Sequence, residues 1–322
     1  MNQIIDHLLK SKHVLLATHI NPDGDALGSL IAMGLTVAAL NKDVTLYNEN
    51  PLPAVYRFLP SINRIVHHTD AMDDYDTAVI LDCGNLERIG RLHSEMARVP
   101  VIINIDHHVT NTGFGDLKFI DTSASATAEI IYRLIHKMRV PISRDMATSI
   151  YTGILTDTGS FRFSNTSRAA FDICAEMMGL GVDPHDVAQH VYGTYSLGRI
   201  KLLNLAIDSI EISKNGKLSL MTLFQNMLEE TGTQPEDIDG FIHYAKRIED
   251  VKVAVLIRER SISKSGLPGS RYHVSLRSDG TTDVSAIAAS FGGGGHFSAA
   301  GFNIDSKLAD LKKQIFELAW TL

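Results

Sequence analysis

Short apolar runs, several of them ending in acid or imidazole, recur through the first half of the chain and limit its fold more than any other feature. VLLATH (14–19), DVTLYN (43–48), TAVILDC (77–83) and VPVIINID (99–106) are β-rich, and polar or helical stretches such as ALGSLIAMGLTVAALN separate them. This alternation predicts an α/β fold with a doubly wound, mostly parallel sheet. From about residue 124 the pattern turns helical, through SASATAEIIYRLIHKM, SRDMATSIYTGILTDTG and SRAAFDICAEMMGLG, the last ending on glycines that suit a helix stop.

Beyond residue 208 the signals change to antiparallel-looking strands, KLSLMTLF, VKVAVLIRER and SRYHVSLRS, interspersed with helices and closing on FGGGGHFSAAGFNI. At 322 residues, two domains are the expected arrangement. The expected division is a catalytic domain over 1–189, a linker helix region over 190–207, and a smaller C-terminal α/β domain with a mixed sheet over 208–322. An active-site cleft is expected between the two domains.

Several classes of protein can be set aside. With 44% hydrophobic and 21% charged residues and no low-complexity tract, the composition is that of a folded chain. The longest apolar stretches, such as SLIAMGLTVAAL, are too short for a membrane span, and MNQIIDHLLKSKH lacks the apolar region of a signal peptide, so a cytoplasmic location is expected. Cys83 and Cys174 make neither a disulfide framework nor a zinc site and read as buried small residues. A net charge of −7 disfavours a protein that tracks long nucleic acid by neutralising phosphates.

The stretch ATHINPDGDALGS (17–29) carries more chemistry than a turn needs. Asn-Pro-Asp-Gly suffices for the turn, which leaves His19 and Asp25 over. Ligands of open α/β sheets bind outside the carboxyl ends of the strands. That edge receives His19, Asp23 and Asp25 after the first strand, Asp82 after another, and Asp106, His107 and His108 after a third; Asp157 in GILTDTGSF can fold back onto it. Singly, each admits a plain explanation: Asp23 as a turn former, Asp25 as a helix cap, the histidines as solvated, Asp157 as a turn residue. Together, so many carboxylates on one edge repel one another unless a cation lies among them. Carboxylate and imidazole without thiolate suit manganese or magnesium, and the number of ligands suits two metals.

The ordered segments HINPDGDALGS, the strand-end Asp82, DHH at 106–108, TDTG at 156–159 and GGGGH at 292–296 resemble the motifs of the DHH phosphoesterase family with a C-terminal DHH-associated domain of the first type. The match is best to the stand-alone branch of nanoRNases and phosphoadenosine phosphate phosphatases, and it covers nearly the whole chain. The resemblance implies two Mn2+ ions, with Mg2+ as a substitute. One would be held by His19, Asp23 and Asp82, the other by Asp25, Asp82, His107 and Asp157, with Asp82 bridging. It further implies that Asp106 orients a ligand imidazole and that His108 faces the scissile phosphate.

The second domain is expected to choose the substrate, with Gly293, Gly294 and Gly295 offering bare backbone amides to phosphate and His296 an imidazole. Arg258 and Arg260 share one side of their strand by period two, as do Arg271 and Arg277. A solvated face is the ordinary explanation, and Arg277 is the best candidate for a phosphate contact; Arg162 is another, near the metals. The expected substrates are short RNAs, linear dinucleotides such as pApA or pGpG, or 3′-phosphoadenosine 5′-phosphate, with no long nucleic acid and no membrane as partners. The oligomeric state stays open, a homodimer included. The alternatives are a manganese pyrophosphatase, whose S-R-K-K motif is absent here, a long-strand exonuclease, and a non-catalytic nucleotide sensor.

Overall fold

The computed structural model describes residues 1–70, 72–193, 195–260 and 270–321. The chain divides into two compact units, Met1–Thr194 and Tyr195–Leu322.

The first unit begins with helix α1 (Asn2–Lys10), strand β1 (His13–Thr18), helix α2 (Gly24–Ala39) and strands β2 (Asp43–Tyr47), β3 (Ile65–Val66), β4 (Thr77–Leu81), β5 (Ile102–Asp106) and β6 (Leu117–Ile120). Four helices follow: α3 (Thr127–Met138), α4 (Arg144–Asp157), α5 (Arg168–Gly179) and α6 (Pro184–Ala188). The strands form one six-stranded sheet in the order β3-β2-β1-β4-β5-β6, every neighbouring pair parallel. The order reverses between β1 and β4, and a crevice at such a switch point is where doubly wound sheets bind ligands.

The alternation within β1 explains the layers. Val14 and Leu16 pack with α1 to α5 on one face, while Leu15 and Ala17 join Tyr47, Met72, Ile80 and Met96 on the other. That second face is covered by 3₁₀ turns such as Leu86–Ile89 and Arg91–Arg98 rather than by long helices. Strand β4 is buried along its whole length, which a run of TAVIL requires. Strands β3 and β6 were not expected; they are short sheet edges, and β6 has no fully buried residue.

Helices α2 and α4 approach closely because glycine faces the contact. A Cβ on Gly28 would lie 2.3 Å from the Ser149 carbonyl oxygen, and one on Gly153 would lie 2.6 Å from Ala128 Cβ and 2.9 Å from Asp25 Oδ1. This contact brings the acid-bearing first turn of α2 against α4, whose last residue is Asp157.

The second unit holds α7 (Leu197–Asp208), β7 (Glu211–Ile212), β8 (Leu218–Leu223), α8 (Gln225–Thr231), α9 (Ile242–Lys246), β9 (Val253–Arg260), β10 (Ser270–Ser278), α10 (Val284–Ser290), β11 (Gly294–His296), β12 (Ala299–Ser306) and α11 (Leu308–Leu318). Its sheet runs β11-β12-β10-β9-β8-β7 and is mixed, since β8 and β9 pair in parallel while the other pairs are antiparallel. The segment 190–207, expected as a linker, divides in two. The turn Gln189–Gly193 buries Val191 in the first core, and α7 buries Leu202 and Ala206 in the second unit's own cluster.

Candidate metal centre

Each expected acidic residue has a local reason for its place. Asp23 is the N-cap of α2, its side chain accepting from Ala26 N–H at 3.0 Å. Asp25 caps a different helix: Oδ2 accepts from Thr127 N–H at 2.6 Å and Oδ1 from Ala128 N–H at 2.8 Å, at the N-terminus of α3. Asp82 leaves β4 in the left-handed region, with φ at 56°, which aspartate tolerates better than most residues. Strain of this kind concentrates at functional sites.

The side chains converge at the β1/β4 switch point. His19 Nε2 lies 3.4 Å from Asp82 Oδ2 and 4.0 Å from Asp23 Oδ1. His107 Nε2 lies 3.8 Å from Asp82 Oδ1 and 3.5 Å from Asp157 Oδ2. Three overlapping groups could each hold a cation: His19, Asp23 and Asp82; Asp25, His107 and Asp157; and Asp82, His107 and His108. Asp82 belongs to two of them, and so does His107.

Both His19 and His107 turn Nε2 toward the carboxylates and Nδ1 toward a backbone carbonyl. The Nδ1–H of His19 donates to the Ile20 carbonyl at 2.9 Å, and that of His107 to the Ala124 carbonyl at 3.2 Å. The imidazole beside the Asp106 carboxylate is that of His108. Asp106 is fully buried, and its Oδ1 accepts from His108 Nδ1 at 2.6 Å and from His107 N–H at 2.8 Å.

Residues that the motif reading missed support this ring. Thr127 Oγ1 donates to Asp82 Oδ1 at 2.9 Å, Asn111 Nδ2 donates to Asp106 Oδ2 at 2.5 Å, and Asn165 Nδ2 donates to Asp157 Oδ2 at 3.2 Å. The side-chain Oδ1 of Asn165 is buried and has no hydrogen-bond partner among the described residues. Arg162 turns back on its own loop, donating from Nε to the Gly159 carbonyl at 2.5 Å.

The ring's electrostatics fit a bound cation. Burial, and then the charge of Asp82, push Asp25 up to about 7, and burial with the charge of Asp25 lifts Asp157 well above the usual carboxylate range. Burial works against the charged form of His107, yet the carboxylates of Asp25, Asp157 and Asp82 push it up to about 9. Burial likewise opposes ionisation of Asp82, but the hydrogen bond from His19 and the surrounding imidazoles hold it below the usual range. Protons thus take up the repulsion among these carboxylates, and a divalent cation displaces protons from such a set of oxygen and imidazole donors.

The candidate residues of the second unit lie on one sheet face. Cross-strand pairing sets Arg258 opposite His273 and Arg260 opposite Arg271, and Arg277 follows His273 by two periods. Arg271 is engaged by Asp305, Nε to Oδ1 at 2.9 Å, and Arg260 donates to Asn303 Oδ1 at 3.2 Å. Burial and the neighbouring cations Arg258, Arg260 and Arg277 lower His273, while the carboxylate of Asp239 acts on both Arg258 and Arg277. In the glycine run, Gly294–His296 form edge strand β11, Gly294 opposite Gly301 and His296 opposite Ala299. The close approach its glycines allow is to β12, because a Cβ on Gly293 would lie 2.2 Å from the Gly301 carbonyl and one on Gly295 2.5 Å from that of Ala299. The His296 side chain lies outside the described ones.

Residues 13–154 match the DHH family, N-terminal domain, and residues 218–321 match the DHHA1 domain. The chain is 33% identical over 291 residues to the bifunctional oligoribonuclease and PAP phosphatase NrnA of Thermus thermophilus, covering 89% of this chain and 83% of that one. It is 29% identical over 315 residues to the Bacillus subtilis protein of the same name, covering 93% of each. An exopolyphosphatase-related protein from Bacteroides fragilis superposes with a TM-score of 0.89 at 26% identity, over 98% of this chain and 96% of that one. The chain belongs to the DHH family and is a metal-dependent hydrolase. Among the described residues, no helix is long and apolar enough to cross a membrane.

Proposed function

We propose that this protein is a two-manganese phosphoesterase that hydrolyses short oligoribonucleotides, linear dinucleotides such as pApA or pGpG, and 3′-phosphoadenosine 5′-phosphate, from a cytoplasmic location. The observation that carries this reading is a chain of overlapping candidate groups, in which Asp82 joins His19 and Asp23 to His107 and His107 joins Asp82 to Asp25 and Asp157, an arrangement that suits a bridging Asp82. His19, Asp23 and Asp82 would hold one ion, and Asp25, Asp82, His107 and Asp157 the other. Two such ions, when bound, supply a water made acidic near neutral pH and a clamp on the phosphate oxygens for in-line attack. No side-chain nucleophile is called for.

The chain's own residues do the rest. Asp106 holds His108 through Nδ1, so that the outer nitrogen of that imidazole can meet the scissile phosphate or the departing oxygen. Arg258 and Arg277, on the cationic face of the second unit, would hold a further phosphate of the substrate. The names of the Thermus and Bacillus relatives support short RNA and PAP as substrates. The DHHA1 match over 218–321 weighs against the pyrophosphatase alternative.

The test is an assay of the purified protein with Mn2+ against a diribonucleotide, 3′-phosphoadenosine 5′-phosphate, pyrophosphate and a long single-stranded RNA. The reading expects turnover of the first two and a steep fall on the long strand. Equal rates on diribonucleotide and long strand, or turnover of pyrophosphate alone, would reject it.

A further inference from the structure

Thr127 occupies an unusual position between two carboxylates. It is fully buried at the first turn of α3, a helix whose N-cap residue, Ala126, has no capping side chain. The missing cap comes from elsewhere in the chain: the Thr127 amide donates to Asp25 Oδ2 at 2.6 Å and the Ala128 amide to Asp25 Oδ1 at 2.8 Å. The Thr127 hydroxyl donates to Asp82 Oδ1 at 2.9 Å. One residue therefore holds a carboxylate from α2 through its backbone and another from the end of β4 through its side chain. Neither bond has a role in α3 that an ordinary N-cap would not fill. Both are donated to carboxylate oxygens, and the helix terminus adds its partial positive charge beside them.

We propose that Thr127 is a positioning residue for the divalent cations: it sets the distance and tilt between Asp25 and Asp82 before metal arrives. The inference rests on the divalent-cation reading of the ring. Groups that orient metal ligands act on affinity because an unheld ligand must be ordered when the ion binds, and their removal typically weakens binding about ten- to a hundred-fold.

Two substitutions separate this role from simple packing, because they predict opposite patterns. Thr127→Val keeps the shape and the backbone amide that caps with Asp25 but removes the hydroxyl. Thr127→Ser keeps the hydroxyl but removes a methyl from a closed site. Mn2+ alone is titrated calorimetrically into the full chain, freed of metal, for the natural protein and both variants, with thermal melting of the same samples. Thr127→Val is expected to bind Mn2+ about ten- to a hundred-fold more weakly at little change in melting temperature, while Thr127→Ser stays close to the natural protein. Unchanged affinity in Thr127→Val, or a weaker Thr127→Ser than Thr127→Val, overturns the proposal and leaves the metal site standing. Thr127→Ser decides the matter even where Thr127→Val melts early, since a retained hydroxyl with lost affinity contradicts positioning. Failure of the natural protein to bind Mn2+ would instead overturn the cation reading beneath it.

Discussion

The two units place their charged residues in opposite ways. In the first, acid and imidazole sit beyond strand ends, where the parallel sheet gathers residues from distant parts of the chain; in the second, arginines lie within β9 and β10, near their ends, and share a face by register. The consequence is a difference in burial and in commitment. Asp25, Asp82 and Asp106 are almost wholly inaccessible and held by backbone or side-chain donors, whereas Arg260 and Arg271 are exposed and engaged by Asn303 and Asp305. Buried carboxylates crowded together need protons or a cation among them, but exposed arginines paired with Asn303 and Asp305 need no ligand.

The largest effect expected from breaking this contrast is at Asp82. Asp82→Asn keeps a residue that accepts the left-handed backbone and removes one charge from the shared position. Activity on a diribonucleotide should fall by about a thousand-fold or more, the upper range for losing a main electrostatic stabiliser, with the circular dichroism spectrum unchanged. Near-normal turnover would remove Asp82 from the reaction.

Next in size is Arg277→Gln. If the cationic face holds a remote phosphate, kcat/KM on a diribonucleotide should drop about ten- to a hundred-fold, the equivalent of one charged hydrogen bond, with manganese affinity untouched. Parallel loss of metal would show that the two units do not divide the work in this way.

A smaller effect sharpens the reading of the glycine run. Gly293→Ala puts a methyl group into the Gly301 carbonyl and should cost about 1–3 kcal/mol of stability by the usual scale of overpacking, while Gly294→Ala, with nothing within 4 Å of the added carbon, should cost much less. Thermal melting distinguishes them. Equal effects would mean that β12 is not what requires glycine there. Arg271→Ala, which loses only an exposed pair with Asp305, should change stability by no more than about 1 kcal/mol and leave turnover alone.

The same contrast explains what could be read from the sequence. Strands β1, β4 and β5 were legible because central parallel strands are near-continuous apolar runs, and their carboxyl ends pointed to His19, Asp82 and Asp106. Edge strands β3 and β6 carry no such run, since solvent takes one side of them. The supporting residues were hidden for a different reason. Thr127 meets Asp82 from 45 residues away and Asp25 from 102, and a lone threonine at a helix start has no pattern that announces either bond. The partner of Asp106 could not be named from sequence because His107 and His108 are adjacent and of one type; the path of the chain after β5 decides which ring turns back to it. The arginine face was half legible: period two placed Arg258 with Arg260, but the register that adds His273 belongs to the pairing of β9 with β10.

Metal content tests the central claim most directly. The purified chain, saturated with Mn2+ and freed of excess by gel filtration, would be analysed by inductively coupled plasma mass spectrometry beside Asp82→Asn prepared in the same way. If Asp82 bridges cations at the switch point, the natural protein should carry about two manganese ions per chain, as two-metal hydrolytic sites do, and Asp82→Asn should retain fewer than one. A natural protein without manganese, or an Asp82→Asn variant with the full complement, would contradict the account.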